Sequence, residues 1–424
     1  MHRRFIFIIS ALTVTCGLVV PPSNAKPPGS KSRSDGVLSM QAAVSLAVQA
    51  RDPSVRRFDE KAAALDNRSI ADSQLPDPIL RAGQFNVPID TFDFGQEAST
   101  QVRFDLLQKI PAGDTLHLKG QKRHAEARAE DAKAQLRESH IKLETRLAWL
   151  ELYYLNGAFN KVTENREAVR ELVKVATAIF GTGRESSQDV LRAQVELSVL
   201  DDRLIKIRNE THHLKNRLVR LIGRAAANRP LSYRLPNLVP PPSVERLRQN
   251  LLHHPSIRVD NAALDARSTE IDLAGAKYRP EWTAEVRYGI RNNDRPDLLT
   301  ARIGMSLPIF PENRQDRQVE AAHHDHLSAQ YVRDARLRDL RTDLERYHSD
   351  WERTGERINL YKRVVTQRAK ATTEASLAAY RAGHSDFAEL IRSRLAELDA
   401  ELTLLRLTVD RAKAHSNLLF IAGK

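Results

Sequence analysis

The 424-residue sequence is poor in cysteine, glycine and aromatic residues, and each shortage excludes a class of protein. Its single cysteine excludes a disulfide scaffold and a cysteine-rich zinc module. The 17 glycines are too few for a collagen or a loop-dominated chain. Aromatic residues make up 6% of the chain, whereas leucine, alanine, arginine and glutamate are abundant, which is typical of long helices. With 41% apolar residues, the chain is too hydrophobic for a disordered tail.

The N-terminus carries the pattern of an export signal. A basic start, Met1–Arg4, precedes an apolar run over residues 5–20 and the small residues Ser23-Asn24-Ala25. This pattern predicts a secretory signal peptide over residues 1–25, and no later segment has the ~20 apolar residues of a spanning helix. Acylation of Cys16 is an alternative, although the residues before it fit a lipidation site poorly.

Three motifs occur twice, 200 to 202 residues apart, which predicts two copies of one unit. This period is longer than the ~20 to 50 residues of a solenoid repeat. We expect a first repeat over 26–229, a proline-rich linker over 230–243 and a second repeat over 244–424. The paired motifs are Asp52-Pro53-Ser54-Val55-Arg56 with His254-Pro255-Ser256-Ile257-Arg258, Phe180-Gly181-Thr182-Gly183 with Tyr380-Arg381-Ala382-Gly383, and Asp189-Val190-Leu191-Arg192 with Glu389-Leu390-Ile391-Arg392.

Each predicted unit combines long helices with two strands. Apolar residues recur at spacings of three, four and seven, as in the run from Ile391 to Ala412. This heptad pattern predicts coiled-coil helices over 112–225 and over 314–420. Alternating apolar and polar residues predict one β-hairpin over 78–110 and another over 282–310.

One face of the predicted strands is apolar and the other is charged. Such strands, ~9 to 11 residues long, suit a transmembrane β-barrel with a water-filled lumen. An ordinary half-buried antiparallel sheet is the alternative, but the export signal favours the barrel. Four strands cannot close a barrel, so we expect oligomers, with eight strands in a dimer or twelve in a trimer. The predicted lumen residues are Gln101, Arg103, Asp105, Glu285, Arg287, Arg291 and Arg302.

The ordered motifs resemble those of the outer-membrane efflux protein family, the TolC-like outer membrane factors. The resemblance covers nearly all of the mature chain, in both predicted copies. It implies a mainly α fold with a small β part, in which long antiparallel coiled-coil helices accompany four transmembrane strands per chain. The motifs are His254–Ile257 before an alanine-rich helix, Tyr278–Trp282 at its end, Leu307–Phe310 after the second hairpin and Tyr380–Gly383 before a leucine-rich helix.

The same resemblance implies a function. It describes a homotrimer with a 12-stranded β-barrel in the outer membrane of a Gram-negative bacterium and a helical tunnel in the periplasm. Such a channel is the exit duct of a tripartite efflux system, with a periplasmic adaptor (membrane fusion) protein, an inner-membrane efflux transporter and outer membrane lipid as partners. The outlet of a type I protein secretion system would show the same features. A periplasmic coiled-coil scaffold without a pore is the rival class, although it would need no alternating strands.

The resemblance also assigns roles to the turns between long helices. In the family these turns form the periplasmic tip, where the adaptor docks, and here they contain Gly181 and Gly183 in one copy and Ala382 and Gly383 in the other. Glycine lets two helices reverse direction without steric penalty. A plain helix-helix turn without a partner is the alternative.

Acidic residues just past the tip line the pore entrance in the family, and Asp189 and Glu389 match those positions. Arg392 stands where the best-known member has a second aspartate, and Arg192 mirrors it. The sequence therefore predicts an entrance ring of acid and base partners, more salt-bridged than purely acidic, whose salt links would control the opening of the entrance. Surface charge on a solvated coiled coil is the alternative.

No enzymatic or nucleic-acid motif accompanies these features. The sequence has no phosphate-binding glycine loop, nucleophile elbow or metalloprotease motif, so neither an enzyme nor a cofactor is expected. Basic residues give a pI of about 9.8 but are interspersed with acidic ones, which argues against nucleic acid. His323 and His326 could share a helix face as a weak metal candidate, but no further ligand converges on them.

Overall fold

The structure is a computed structural model that describes residues 36–180, 187–292 and 295–424. The predicted signal peptide, residues 1–25, lies outside this described part. Residues Val37–Lys424 form one compact unit. Among the described helices, none combines the length with the apolar composition needed to cross a membrane.

Long helices dominate the chain, as the heptad pattern predicts. The longest, α3, has 66 residues and extends ~100 Å at 1.5 Å per residue. A 3₁₀ turn at Leu251–His253 precedes α7, and a π-helical turn at Tyr361–Val365 joins α8 to α9. The α-helices are α1 (Met40–Gln49), α2 (Pro53–Asp72), α3 (Thr115–Phe180), α4 (Ser187–Ile222), α5 (Arg224–Ala227), α6 (Val244–Asn250), α7 (Pro255–Ala276), α8 (Gln315–Leu360), α9 (Thr366–Arg381) and α10 (Phe387–Ile421).

The two copies of the first repeated motif are helix starts with the same construction. The Asp52 side chain accepts a hydrogen bond from the Ser54 backbone N at 2.8 Å, and α2 follows with a proline in its first turn. At α7, His254 Nδ1 accepts from the Ser256 backbone N at 3.2 Å, again before a proline. Both side chains satisfy a backbone donor that a helix start leaves free.

Four strands form one antiparallel sheet in the order β1-β2-β3-β4. The strands are β1 (Ile79–Phe85), β2 (Gln101–Ile110), β3 (Trp282–Arg291) and β4 (Leu298–Met305). The two predicted hairpins are joined, because β2 pairs with β3 from Gln101 opposite Arg291 to Ile110 opposite Trp282. Within the described residues, β1 and β4 each have a single neighbouring strand, so each has one unpaired edge.

The core follows the seams between the long helices. Trp149 of α3 is fully buried, and its Nε1 donates a hydrogen bond to the Leu38 carbonyl at 3.0 Å. Farther along α3, Val169 packs in a second cluster with Phe387 of α10. Leu344 of α8 lies in a third cluster, which also contains α10 residues. Helix α10 therefore packs against both α3 and α8 and holds these two long helices together.

An ion-pair cluster crosses the α3–α10 seam. Glu151 lies 2.8 Å from Arg406 and also contacts Lys413. Burial alone would raise the pKa of Glu151, but hydrogen bonds from these two cations outweigh it and lower the pKa. Arg406 also stacks on the ring of Tyr154, with its guanidinium carbon 3.7 Å from the ring centroid. The carboxylate stays charged and pins the two helices in register.

Candidate channel-forming surfaces

One face of the sheet is apolar and exposed along its whole width. The register places Leu80, Leu106, Val286 and Ala301 side by side, one from each strand. The side chain of Leu80 is 69% exposed. Such a continuous band is too extensive to be the water-facing side of an ordinary sheet. The next row consists of Ala82, Phe104, Tyr288 and Leu299.

The opposite face contains a charged network. Asp105 is 3% exposed, and its carboxylate lies 3.0 Å from Arg103 Nε and 3.4 Å from Arg287 Nε. Arg287 also lies 2.8 Å from Glu285, whose other oxygen is 4.0 Å from Arg302. Because buried carboxylates need cationic or hydrogen-bonding partners, Arg103 and Arg287 compensate the carboxylate of Asp105.

The structure places all seven predicted lumen residues on this polar face. The register pairs Asp105 with Arg287, and Gln101 with Arg291. Glu285 is paired with Arg302. Basic residues outnumber carboxylates on the face, so its potential favours anions.

Sequence reasoning missed two basic residues on the same face. Arg81 lies opposite Asp105 in the β1–β2 register, and Lys109 belongs to the odd-numbered side of β2. Lys109 continues the period of two from Arg103 and Asp105, so the alternation could have found it. Arg81 gave a weaker signal, because the alternation in β1 is poor and only pairing with β2 reveals its side.

Helices α4 and α10 enclose a groove close to the turn between α9 and α10. The groove has a volume of about 460 Å³, and Arg192 and Arg392 both line it. Arg392 lies 2.7 Å from Glu389, one helical turn earlier, and both side chains are more than half exposed. Asp386 caps α10 by accepting from the Glu389 backbone N at 2.7 Å. The structure thus places three of the four predicted entrance residues, Arg192, Glu389 and Arg392, around this groove. The fourth, Asp189, lies in α4.

The described turn between α9 and α10 has the geometry of a glycine C-cap. Gly383 has φ +74°, a conformation that side chains disfavour. The backbone N of His384 donates to the Ala379 carbonyl at 2.9 Å, and Gly383 N donates to the Tyr380 carbonyl at 3.0 Å. These bonds form a Schellman motif that ends α9, with Ala382 as its C-cap. The other predicted tip residues, Gly181 and Gly183, lie outside the described residues.

The histidine pair shows no further ligand. His326 Nε2 accepts a hydrogen bond from the side-chain amide of Gln330 at 3.0 Å, which occupies one nitrogen. Throughout the described ranges, no group of three or more histidine, cysteine, aspartate or glutamate residues is arranged to hold a metal ion. His323 lies one turn before His326 on α8.

Comparisons with known proteins agree with this architecture. The family model of the outer membrane efflux proteins matches residues 247–424. No curated protein matches the sequence. The outer membrane protein VceC of Vibrio cholerae superposes with a TM-score of 0.75 at 15% identity, over 91% of this chain and 96% of VceC.

Two further solved channels have the same fold. The CmeC outer membrane channel of Campylobacter jejuni gives a TM-score of 0.73 at 14% identity, over 96% of this chain and 94% of CmeC. The MtrE outer membrane channel of Neisseria gonorrhoeae, in its open state, gives 0.71 at 14% identity, over 91% of this chain and 88% of MtrE. These findings confirm the predicted resemblance: residues 247–424 match the outer membrane efflux protein family, and the chain has the fold of such channels.

Proposed function

We propose that three copies of this chain form an outer-membrane channel that serves as the passive exit duct of a tripartite efflux system. The four-stranded sheet carries this proposal, because one face is apolar and exposed while the other holds charges. A lipid-facing sheet must have no free edges, since unpaired backbone groups are costly in hydrocarbon. The edges of β1 and β4 would therefore pair between neighbouring copies.

A trimer fits the charged face better than a dimer. Eight strands leave an interior that side chains fill, whereas twelve leave room for a passage. The polar face carries long arginine side chains, among them Arg103, Arg287 and Arg302, and needs water beside them. A trimer also agrees with the family resemblance, and the long helices would continue the barrel as a periplasmic tunnel.

The proposed assembly gives roles to the remaining predicted residues. The Gly383 turn and the predicted Gly181–Gly183 turn would form the tip to which a periplasmic adaptor docks, with an inner-membrane transporter behind it. Arg192, Glu389 and Arg392 would line the entrance, together with Asp189. Two repeats, over 26–229 and 244–424, would explain why a chain of this length supplies two strands and one long helical hairpin twice.

Paired cysteines test the closure of the barrel. In one chain β1 and β4 are separated by two strands, roughly 14 Å at ~4.8 Å per strand, which a disulfide cannot span. The chain contains a single natural cysteine, Cys16, in the predicted signal peptide. We would combine Ala82→Cys with cysteines at successive β4 positions around Ala301 and oxidise them in isolated outer membranes.

We expect at least one pair to give covalent dimers and trimers on a denaturing gel. Each single-cysteine variant is the matched control and should stay monomeric there. A soluble monomer without cross-links in any register would refute the channel. Reconstitution in a planar bilayer then tests conduction, and restored antibiotic resistance in a strain that lacks its outer-membrane duct tests efflux.

A further inference from the structure

A polar pocket lies where the sheet meets the helices, and the proposed channel gives it no role. This junction pocket has a volume of about 280 Å³. The end of α7, the start of β3, the segment after β4 and the start of α8 all contribute to it. Its lining residues include Lys277, Arg279, Glu281, Arg314, Gln315 and Gln318.

The lining charge of the junction pocket is positive. Arg279 is matched by Asp114 at 3.2 Å, whereas Lys277 bonds the neutral Gln318 at 3.0 Å. Across the described ranges, neither Lys277 nor Arg314 makes an ion pair. Glu281 is the single carboxylate of the lining, so the three cations exceed the acids. Two cations without a carboxylate partner favour an anionic ligand such as a phosphate.

The N-terminus of α8 adds to this potential. Arg314 stands at the N-cap and, being arginine, offers no side-chain acceptor to the first backbone donors of α8, of which the Asp316 backbone N donates to the Pro311 carbonyl at 3.0 Å. The 46-residue helix directs the positive end of its dipole to this point. Asp316 in the first turn offsets part of that charge, but its carboxylate is engaged by the Tyr278 hydroxyl.

Gln315 supplies an independent indication that a ligand binds in this pocket. Its side chain is 8% exposed and lines the junction pocket, yet Oε1 is buried and accepts no hydrogen bond from any described residue. A buried acceptor without a donor is destabilising, because it has lost its hydrogen bonds to water. The pocket therefore offers donors for a phosphate and, beside them, an acceptor that needs a hydroxyl or amine. A single ligand that carries a phosphate together with a hydroxyl or amine would satisfy both the donors and the acceptor.

An apolar surface begins at the rim of the junction pocket. Leu307 and Pro308 line the pocket, and the neighbouring Ile309 and Phe310 are 65% and 84% exposed. The apolar band of the sheet ends here, at Trp282 and Met305. An acyl chain could lie along this surface while its headgroup occupies the pocket, as at other basic headgroup sites beside membrane segments.

We propose that the junction pocket binds the headgroup of phosphatidylglycerol, with its phosphate at Lys277 and Arg314 and a glycerol hydroxyl donating to Gln315 Oε1. This inference rests on the proposed position of the sheet in the membrane. Phosphatidylcholine carries the same phosphate but has no donor and no net charge, so it should bind more weakly. The occupant is bound within the pocket and is distinct from the bulk lipid around the barrel.

Native mass spectrometry of the detergent-purified trimer tests the site with phosphatidylglycerol and with phosphatidylcholine of the same acyl chains. We expect up to three phosphatidylglycerol molecules per trimer and several-fold lower occupancy by phosphatidylcholine. Lys277→Gln with Arg314→Gln should weaken phosphatidylglycerol binding about 10- to 30-fold, from ~1 kcal/mol per basic residue. Gln315→Leu should lower phosphatidylglycerol binding towards that of phosphatidylcholine. Arg317→Gln is the matched control, because Arg317 pairs with Glu320 at 2.8 Å and does not line the pocket.

Equal phosphatidylglycerol binding by the double variant and the Arg317→Gln control would overturn the proposal. So would full displacement of the lipid by inorganic phosphate at matched concentration, because it would show an anion site without a need for the lipid. Conductance in bilayers without phosphatidylglycerol separates the two proposals. Trimers that conduct but bind phosphatidylglycerol and phosphatidylcholine equally would refute the lipid site alone. The absence of both cross-linked trimers and conductance would refute the channel.

Discussion

Arg287 lies opposite Asp105 in the β2–β3 register, and its Nε is 3.4 Å from an Asp105 carboxylate oxygen. The two strands come from opposite halves of the chain, so this contact joins the two predicted hairpins into one sheet. Arg103 approaches the same carboxylate on the β2 side. One buried acid thus holds two arginines on the face that we propose lines the lumen.

We expect Asp105→Asn to make the channel more selective for anions. The substitution keeps the shape of the side chain but removes the carboxylate partner of Arg103 and leaves Arg287 with Glu285 alone, which strengthens the positive potential of the lumen. In a potassium chloride gradient the reversal potential should move towards that of chloride. Asp90→Asn, an exposed change in the loop between β1 and β2, is the matched control. An unchanged reversal potential in Asp105→Asn would contradict the lumen assignment.

We expect Glu389→Ala combined with Arg392→Ala to raise single-channel conductance. The pair would restrict the proposed entrance, and its removal frees the opening. Because both side chains are largely exposed, the free energy of unfolding should change by less than about 1 kcal/mol. The control combines Arg353→Ala with Glu356→Ala, which removes an exposed pair of the same spacing, 3.0 Å apart on α8. Equal conductance in the two double variants would argue for a plain surface pair.

We expect acid to destabilise the protein through His254. Burial lowers its pKa from 6.5 to about 4, although a hydrogen bond to the Phe420 carbonyl opposes the shift. Between these values the unfolded chain binds a proton that the folded chain excludes. The His254 contribution is therefore complete above pH 6.5 and is lost as the pH falls to about 4, by about 3 kcal/mol in total.

The His254→Asn variant checks this pH dependence. Asparagine can still cap α7 but does not titrate, so its melting temperature should fall less between pH 6.5 and 4 than that of the wild type. Circular dichroism of the detergent-purified protein provides the measurement. His140 and His415 also have pKa values lowered by burial, so a smaller slope remains in the variant. Parallel curves for the two proteins would show that His254 does not carry the effect.

Local sequence patterns predicted the long helices and most of the sheet, but not the contacts between segments that are distant in the sequence. Heptad spacing depends on neighbouring turns of one helix, so α10 could be read from residues such as Leu398 and Leu402 alone. The side of the sheet on which Arg81 lies depends on pairing with β2, which no local period contains. The burial of Gln315 depends on four segments that meet at one point. A π-helical turn at Tyr361–Val365 likewise interrupts a helix whose heptads continue.

We expect Trp149→Ala to cost about 3–5 kcal/mol in the free energy of unfolding, because it empties a fully buried site on α3. Trp149→Phe keeps most of the volume but removes the hydrogen bond to the Leu38 carbonyl, which still accepts from the Ser232 backbone N at 3.1 Å. That variant should lose roughly 1 kcal/mol. Trp282→Ala is the matched control, because Trp282 is exposed at the start of β3 and contributes little to the helical core. Urea titration in detergent, followed by circular dichroism, measures the order of the three variants. If Trp282→Ala lost as much as Trp149→Ala, the helical seam around Trp149 would not be the main source of stability.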